Sequence, residues 1–227
     1  MQSQPLAPLG ATALLFVGSH FLLSHPLRKP VARAMGERVF LLVYSLVAIG
    51  LFGWMVVAFA HTPAGPTLWN GYDWLPWTIA SLLTLIALAL FIGSLSGNPA
   101  LPQANMAGVS ARKPIGVFKI TRHPMMWSFA IWALSHAIVS PSPRVLILTG
   151  TMAFLALVGA YGQDLRKSAQ NPREWNVWRK RTNYWPQLSA ARELGRHWLT
   201  ALLAWLAITW LHLPAGHIPA GLWRMLA

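Results

Sequence analysis

Six predominantly apolar runs divide the chain, over residues 8–25, 39–60, 74–95, 124–140, 144–163 and 198–213. A helix crossing a bilayer needs about 20 apolar residues, within a range of about 17 to 25. The pattern therefore predicts an all-α fold, a polytopic transmembrane helix bundle of about six spans, forming one membrane domain over 1–227. The first, fourth and sixth runs are short for this purpose. Gly150, Gly159 and Gly162 lie in or at the end of the fifth run, where small residues let neighbouring helices approach closely. No repeat with a period of 20–50 residues is apparent.

The polar residues between the runs fall into two groups. Arg28, Lys29, Arg33 and Arg38 follow the first run, and Arg112, Lys113, Lys119 and Arg122 precede the fourth. Arg166, Lys167, Arg173, Arg179, Lys180, Arg181, Arg192 and Arg196 follow the fifth. These alternate connections hold 16 basic residues against two, Arg144 and Arg224, on the other side. The positive-inside rule assigns the basic connections to the cytoplasm and both termini to the outside. The stretch DLRKSAQNPREWNVWRKRTNYWPQL is not loop-like. Pro172 with Glu174 marks a helix start. Its basic and aromatic content predicts a helix lying in the interface plane, with Trp175, Trp178, Tyr184 and Trp185 as anchors.

Composition supports this reading. The chain is 55% hydrophobic and 10% charged, where a soluble domain carries about 25% charged residues. The net charge of +13 fits the basic rim of a membrane protein and gives no reason to expect nucleic acid as a partner. There is no cysteine, which excludes disulfides, thiolate ligands and cysteine nucleophiles. No Lys or Arg precedes the first apolar run, so it is expected to be a retained span rather than a signal peptide. Asp73, Glu37, Asp164, Glu174 and Glu193 sit at or beyond the span ends, which argues against a carboxylate proton relay or a cation pump. With no internal repeat, a transporter is also disfavoured.

The intramembrane chemistry then falls to histidine. His61, His212 and His217 lie near the outer ends of spans, and His25, His123 and His197 near the cytoplasmic ends. His20 is 12 residues past Pro8, and His136 is 12 residues past Pro124. At about 1.5 Å per residue each lies roughly 18 Å from its own entry face. In a hydrocarbon core of about 30 Å, that leaves them about 6 Å apart in depth. Two histidines on different helices at similar depth suit the two axial positions of a haem, or interhelical hydrogen bonds. His123 and His136 stand 13 residues apart, about 20 Å of rise and about 220° of rotation on one helix. They therefore have separate roles. Pro124 suits the first helical position, making His123 a cap candidate at the cytoplasmic mouth.

FVGSHFLLS (16–24), the following LR, GERVFLLVYSLVAIGL (36–51) and GVFKITRHPMMWSFAIWALSHAI (116–138) resemble the signatures of the NnrU family. That resemblance implies a multi-span protein of the bacterial inner membrane, linked to nitrite and nitric oxide respiration in denitrifying bacteria. The family's plant relative, zeta-carotene isomerase, is a haem b membrane enzyme that isomerises a double bond by a redox-dependent route. The spacing of its four important histidines is matched by His20, His61, His123 and His136. The resemblance implies haem b with His20 and His136 as axial iron ligands, and Arg122, His123 and His61 as the catalytic candidates. Membrane lipids, and a lipophilic small molecule or a respiratory redox partner, are the expected partners. A cysteine near the second ligand of the plant enzyme is replaced here by Ala133, so a thiolate-to-histidine ligand switch has no thiol to use.

A second resemblance is wider. TRHPMMWS with the downstream basic, aromatic stretch is similar to isoprenylcysteine carboxyl methyltransferases. It implies S-adenosylmethionine held by Arg122, His123 and Pro124, with Asp164 and Trp175 in weaker correspondence. The paired glutamates typical of those enzymes are missing. A non-catalytic membrane partner or assembly factor, with both mid-span histidines structural, is the third expectation.

Overall fold

The computed structural model describes residues 6–101, 104–195 and 197–226. The first five residues and the last, on which the assignment of the termini bears, and Arg196 of the basic rim lie outside them. The described residues form ten α-helices and no strand: α1 (Ala7–Ser24), α2 (Arg28–Met35), α3 (Glu37–His61), α4 (Trp74–Ser94), α5 (Met106–Ala111), α6 (Val117–Ile120), α7 (Pro124–Val139), α8 (Pro143–Gln170), α9 (Pro172–Arg181) and α10 (His197–Gly216). Short 3-10 turns cover Leu188–Leu194 and Gly221–Met225.

Proline sets several of these starts. Pro8, Pro124, Pro143 and Pro172 each occupy the first turn of a helix, where the missing N–H costs nothing and the fixed φ is already helical. Gly36, at φ 84°, reverses the chain between α2 and α3.

Five helices, α1, α3, α4, α8 and α10, are long and apolar enough to span a bilayer. α7 is apolar but has only 16 residues. The chain is thus a multi-pass membrane protein. α7 packs between α4 and α8, α1 between α3 and α8, and α10 against α4. The outer face of α3 exposes Leu42, Leu46, Ile49 and Val57. An apolar face of that length in a fully hydrogen-bonded helix suits lipid rather than water.

Two cores hold the bundle. Leu9, Ala13 and Phe16 of α1 pack with Met55 of α3 against Ile147, Leu148 and Met152 of α8. The larger core joins Ala89 and Leu90 of α4 to Val109, Val117, Phe118, Trp175, Trp178 and Leu194 at the basic end. There Arg181 donates to the Arg112 carbonyl and Lys119 pairs with Glu193. Arg144, which donates to the Thr62 carbonyl, and Arg224, stacked near Tyr72 and Trp77, lie at the opposite end. The charge asymmetry of the sequence is therefore a real asymmetry of the molecule.

The helix that contains the fifth apolar run continues past residue 163, since α8 runs to Gln170 and carries Asp164 and Lys167 inside it. Its last turns persist because buried partners meet their polar groups; Lys167, 3% exposed, donates to the Leu101 carbonyl at 2.8 Å. α9 forms where Pro172 and Glu174 indicate, but its tryptophans are not interfacial anchors. Trp175 and Trp178 are fully buried, because α9 packs on α5 and α8. Each contributes on the order of 2 kcal/mol or more of transfer free energy. That offsets the cost of an indole N–H left without a partner among the described residues, about 1–3 kcal/mol in each case. Trp185 does remain exposed.

Candidate functional site

The candidate residues occupy two distinct places. The first is a cavity of about 390 Å³ between α1, α3, α7 and α8. That volume lies toward the small end of ligand pockets, about 300–1,000 Å³. Phe16, Phe129, Met152 and Leu155 give it an apolar body, and His20 and Tyr44 are among its polar lining residues.

His20 projects from α1 one turn after Phe16. Its Nδ1–H donates to the Phe16 carbonyl at 2.8 Å, since a carbonyl only accepts. The tautomer is thereby fixed, and Nε2 keeps its lone pair. The Phe16 ring stands 4.5 Å from the imidazole and the Tyr44 ring 5.6 Å, both edge-on. Backbone bond and rings together hold the imidazole in one orientation, with a second nitrogen that no described residue hydrogen-bonds and that is of the kind that ligates a metal.

His136 has the same local construction. Its Nδ1–H donates to the Trp132 carbonyl at 2.9 Å, and the Trp132 ring packs 4.3 Å away. It does not line the His20 cavity. His136 is one turn from the far end of α7, and His20 is one turn from the basic end of α1. His212 of α10 lies within electrostatic reach of His136. Seven residues separate His136 from Phe129, which does line the cavity. That spacing keeps both on one face of α7, about 10 Å apart along the axis.

The second place is a buried ion network at the mouth of α7. Arg122 donates through Nε to both Asp164 oxygens, at 3.0 and 2.8 Å, and through a terminal nitrogen to Oδ2. His123 Nε2 meets Asp164 Oδ1 at 2.9 Å. The strand-like link 182–187 closes over them. Arg122 N–H donates to the Asn183 carbonyl, and Thr121 Oγ1 and Trp127 Nε1 both donate to that of Tyr184. The Tyr184 ring lies 5.6 Å from His123 and 5.3 Å from the Arg122 guanidinium. Burial pushes the Tyr184 hydroxyl above its usual range, and the Asp164 charge adds to this.

His123 does occupy the N-cap position before Pro124, but its side chain does not cap the helix. The imidazole is turned inward instead and is fully buried, with Nδ1 lacking a partner among the described residues. Trp175 packs 6.3 Å from it. So Arg122, His123, Asp164 and Trp175 do meet, but they engage each other and do not line the cavity. His61, the last residue of α3, is exposed at the far end of the molecule. The structure does not bring it near His123.

Sequence reasoning missed Tyr44, Arg28, Arg166 and Gln163, all of which line the cavity. Tyr44 carried a signal, because it is the only Tyr in the 39–60 run. The other three sit among many polar residues at the span ends and had none.

A family profile described as NnrU protein matches residues 8–220. The 15-cis-zeta-carotene isomerase, chloroplastic, of Zea mays is 28% identical over 169 residues, covering 70% of this chain. The aligned part is 44% of the maize protein's length, so the chain corresponds to less than half of that relative. No solved structure matches significantly. With nearly its whole length within that profile and its helices those of a multi-pass membrane protein, the chain belongs to the NnrU family.

Proposed function

We propose that the chain binds haem b inside the membrane through His20, with His136 as the second axial ligand, and acts in a redox-linked role on a lipophilic molecule. The observation that carries the reading is His20. A tautomer-locked imidazole presents a free Nε2 in an apolar, ring-lined cavity between four helices. His136 offers the same locked tautomer. Bound haem would supply a redox-active iron in low dielectric.

His20 lines the cavity and His136 does not. Two axial imidazoles meet one iron from opposite faces, so His136, about 10 Å along α7 from Phe129, would have to come toward the cavity past the Phe91–Phe129 ring pair, 5.7 Å between centroids, to hold the same iron as His20. Phe16 and Tyr44 would orient the His20 ring, and the surrounding apolar side chains would exclude water.

The similarity to a carotene isomerase supports a lipophilic substrate and an isomerisation or oxidoreduction. Ala133, fully buried on α7, leaves no thiol for a ligand switch, so any switch here uses histidine or an external ligand. A link to nitrite and nitric oxide respiration rests on the family resemblance alone. The basic end faces the cytoplasm in this reading, by the charge bias of the connections, and the membrane is the bacterial inner membrane.

Oxidised and reduced absorption spectra of protein purified from haem-replete cells test this. A low-spin haem b spectrum is expected. Colourless protein, whose spectrum and stability do not respond to added haem, overturns it.

A further inference from the structure

The His20 cavity has chemically different ends. Away from the basic end it is lined by Phe16, Met152 and Leu155. At the basic end it is lined by Arg28 and Arg166, with Ser24 and Gln163 beside them.

The two arginines are not equivalent. Arg28 pairs with Glu37, and its guanidinium lies 5.3 Å from the Phe40 ring. Arg166 is half-buried, and among the described residues no hydrogen bond or ion pair reaches it. Its electrostatic neighbours are the like charge of Arg28, the Tyr44 hydroxyl and, with the smallest effect, Glu37. Glu37 balances one guanidinium, and the second is left over. A guanidinium does not lose its proton in a protein. A partly desolvated charge without a partner is costly, and an anion beside it removes the cost.

A second crevice adjoins the same place from the outer surface of the bundle. It is an apolar space of about 280 Å³ between α1 and α8 and shares Phe21 and His25 with the cavity. Its rim carries the exposed side chains of Leu22, Tyr161 and Leu165. His25 packs directly on α8 at Gly162, where a Cβ would lie 2.6 Å from its Nε2.

We infer that the cavity takes an amphiphile whose apolar body lies among Phe16, Phe129 and Met152 and whose carboxylate head sits on Arg166, with Arg28 behind it. One uncompensated charge suits a monovalent head. The planar fork of arginine matches the two oxygens of a carboxylate. The carboxylate is either a haem propionate or the head of a fatty acid from the bilayer. This rests on the cavity being the ligand site of the reading above, but not on the ligand being haem.

The test uses the full chain, purified in neutral detergent, and two pairs of probes. One pair is ferric haem b and iron protoporphyrin dimethyl ester, followed by absorption. The other is photoreactive palmitic acid and its methyl ester, followed by crosslinking yield. In at least one pair the acid binds about tenfold or more tighter than the ester. Arg166→Gln abolishes that preference, Arg166→Lys keeps the charge but loses the fork and retains only part of it, and both variants keep the wild-type melting temperature within a few degrees. Preference in the haem pair identifies a propionate, and preference in the palmitate pair identifies a fatty acid. Equal binding of acid and ester in both pairs, no binding of either pair, or a preference untouched by Arg166→Gln and Arg28→Gln in folded protein overturns the inference. The haem reading fails separately, when neither porphyrin shows a shifted Soret band whatever palmitate does.

Discussion

Arg122 and Asp164, 42 residues apart in sequence, form a buried bidentate ion pair that ties the mouth of α7 to the inner turns of α8. His123 binds the same carboxylate. The segment that most resembles a catalytic motif therefore doubles as a structural clasp.

Breaking that clasp from one side leaves a buried charge alone. Asp164→Asn keeps the volume but removes the charge that balances Arg122. It is expected to cost about 3–5 kcal/mol. Arg122→Met with Asp164→Leu removes both charges and lands much closer to wild type. Thermal unfolding in detergent reads both, and an unchanged midpoint for Asp164→Asn would show that the pair contributes nothing.

The same network bears on S-adenosylmethionine. Arg122 and Asp164 already engage each other, His123 Nε2 is held by the same carboxylate, and none of the three lines the cavity. Isothermal calorimetry with the cofactor at millimolar concentration should show no binding heat. A saturable heat lost in His123→Ala would favour the methyltransferase resemblance instead.

Two glycines offer a contrast in packing. A Cβ on Gly71 would lie 2.2 Å from the Val139 carbonyl oxygen, which is backbone at the end of α7. A Cβ on Gly162 would meet only the tip of the His25 ring. Gly71→Ala should destabilise by about 1–3 kcal/mol, as overpacking against fixed atoms does. Gly162→Ala should cost less, because His25 can rotate away. Equal melting shifts would contradict that ranking.

Much of the architecture was legible because bilayer thickness and proline act locally. Pro8, Pro124 and Pro172 each mark a helix start, and the runs around them match the observed helices within a few residues. The end of α8 was not legible. Asp164 and Lys167 look like loop residues until their partners Arg122 and Leu101 arrive from distant segments. Trp175 and Trp178 read as interfacial for the same reason, since the α5 surface that buries them lies more than 60 residues earlier. At the site, helical rise gave each histidine a distance from its helix start, but His20 lies one turn from the basic end of α1 and His136 one turn from the far end of α7, so the expected closeness in depth is not apparent in the helices. Nor did the rise give the rotation that turns His20 toward Tyr44 and leaves His136 outside the same cavity.

The central claim is that His20 is an intramembrane iron ligand. The most direct measurement is the haem spectrum of purified His20→Ala beside His136→Ala and wild type, at matched folding. The account predicts that His20→Ala loses the Soret band or most of its haem, and that His136→Ala turns a low-spin spectrum high-spin. Wild-type spectra and haem content in His20→Ala would contradict it.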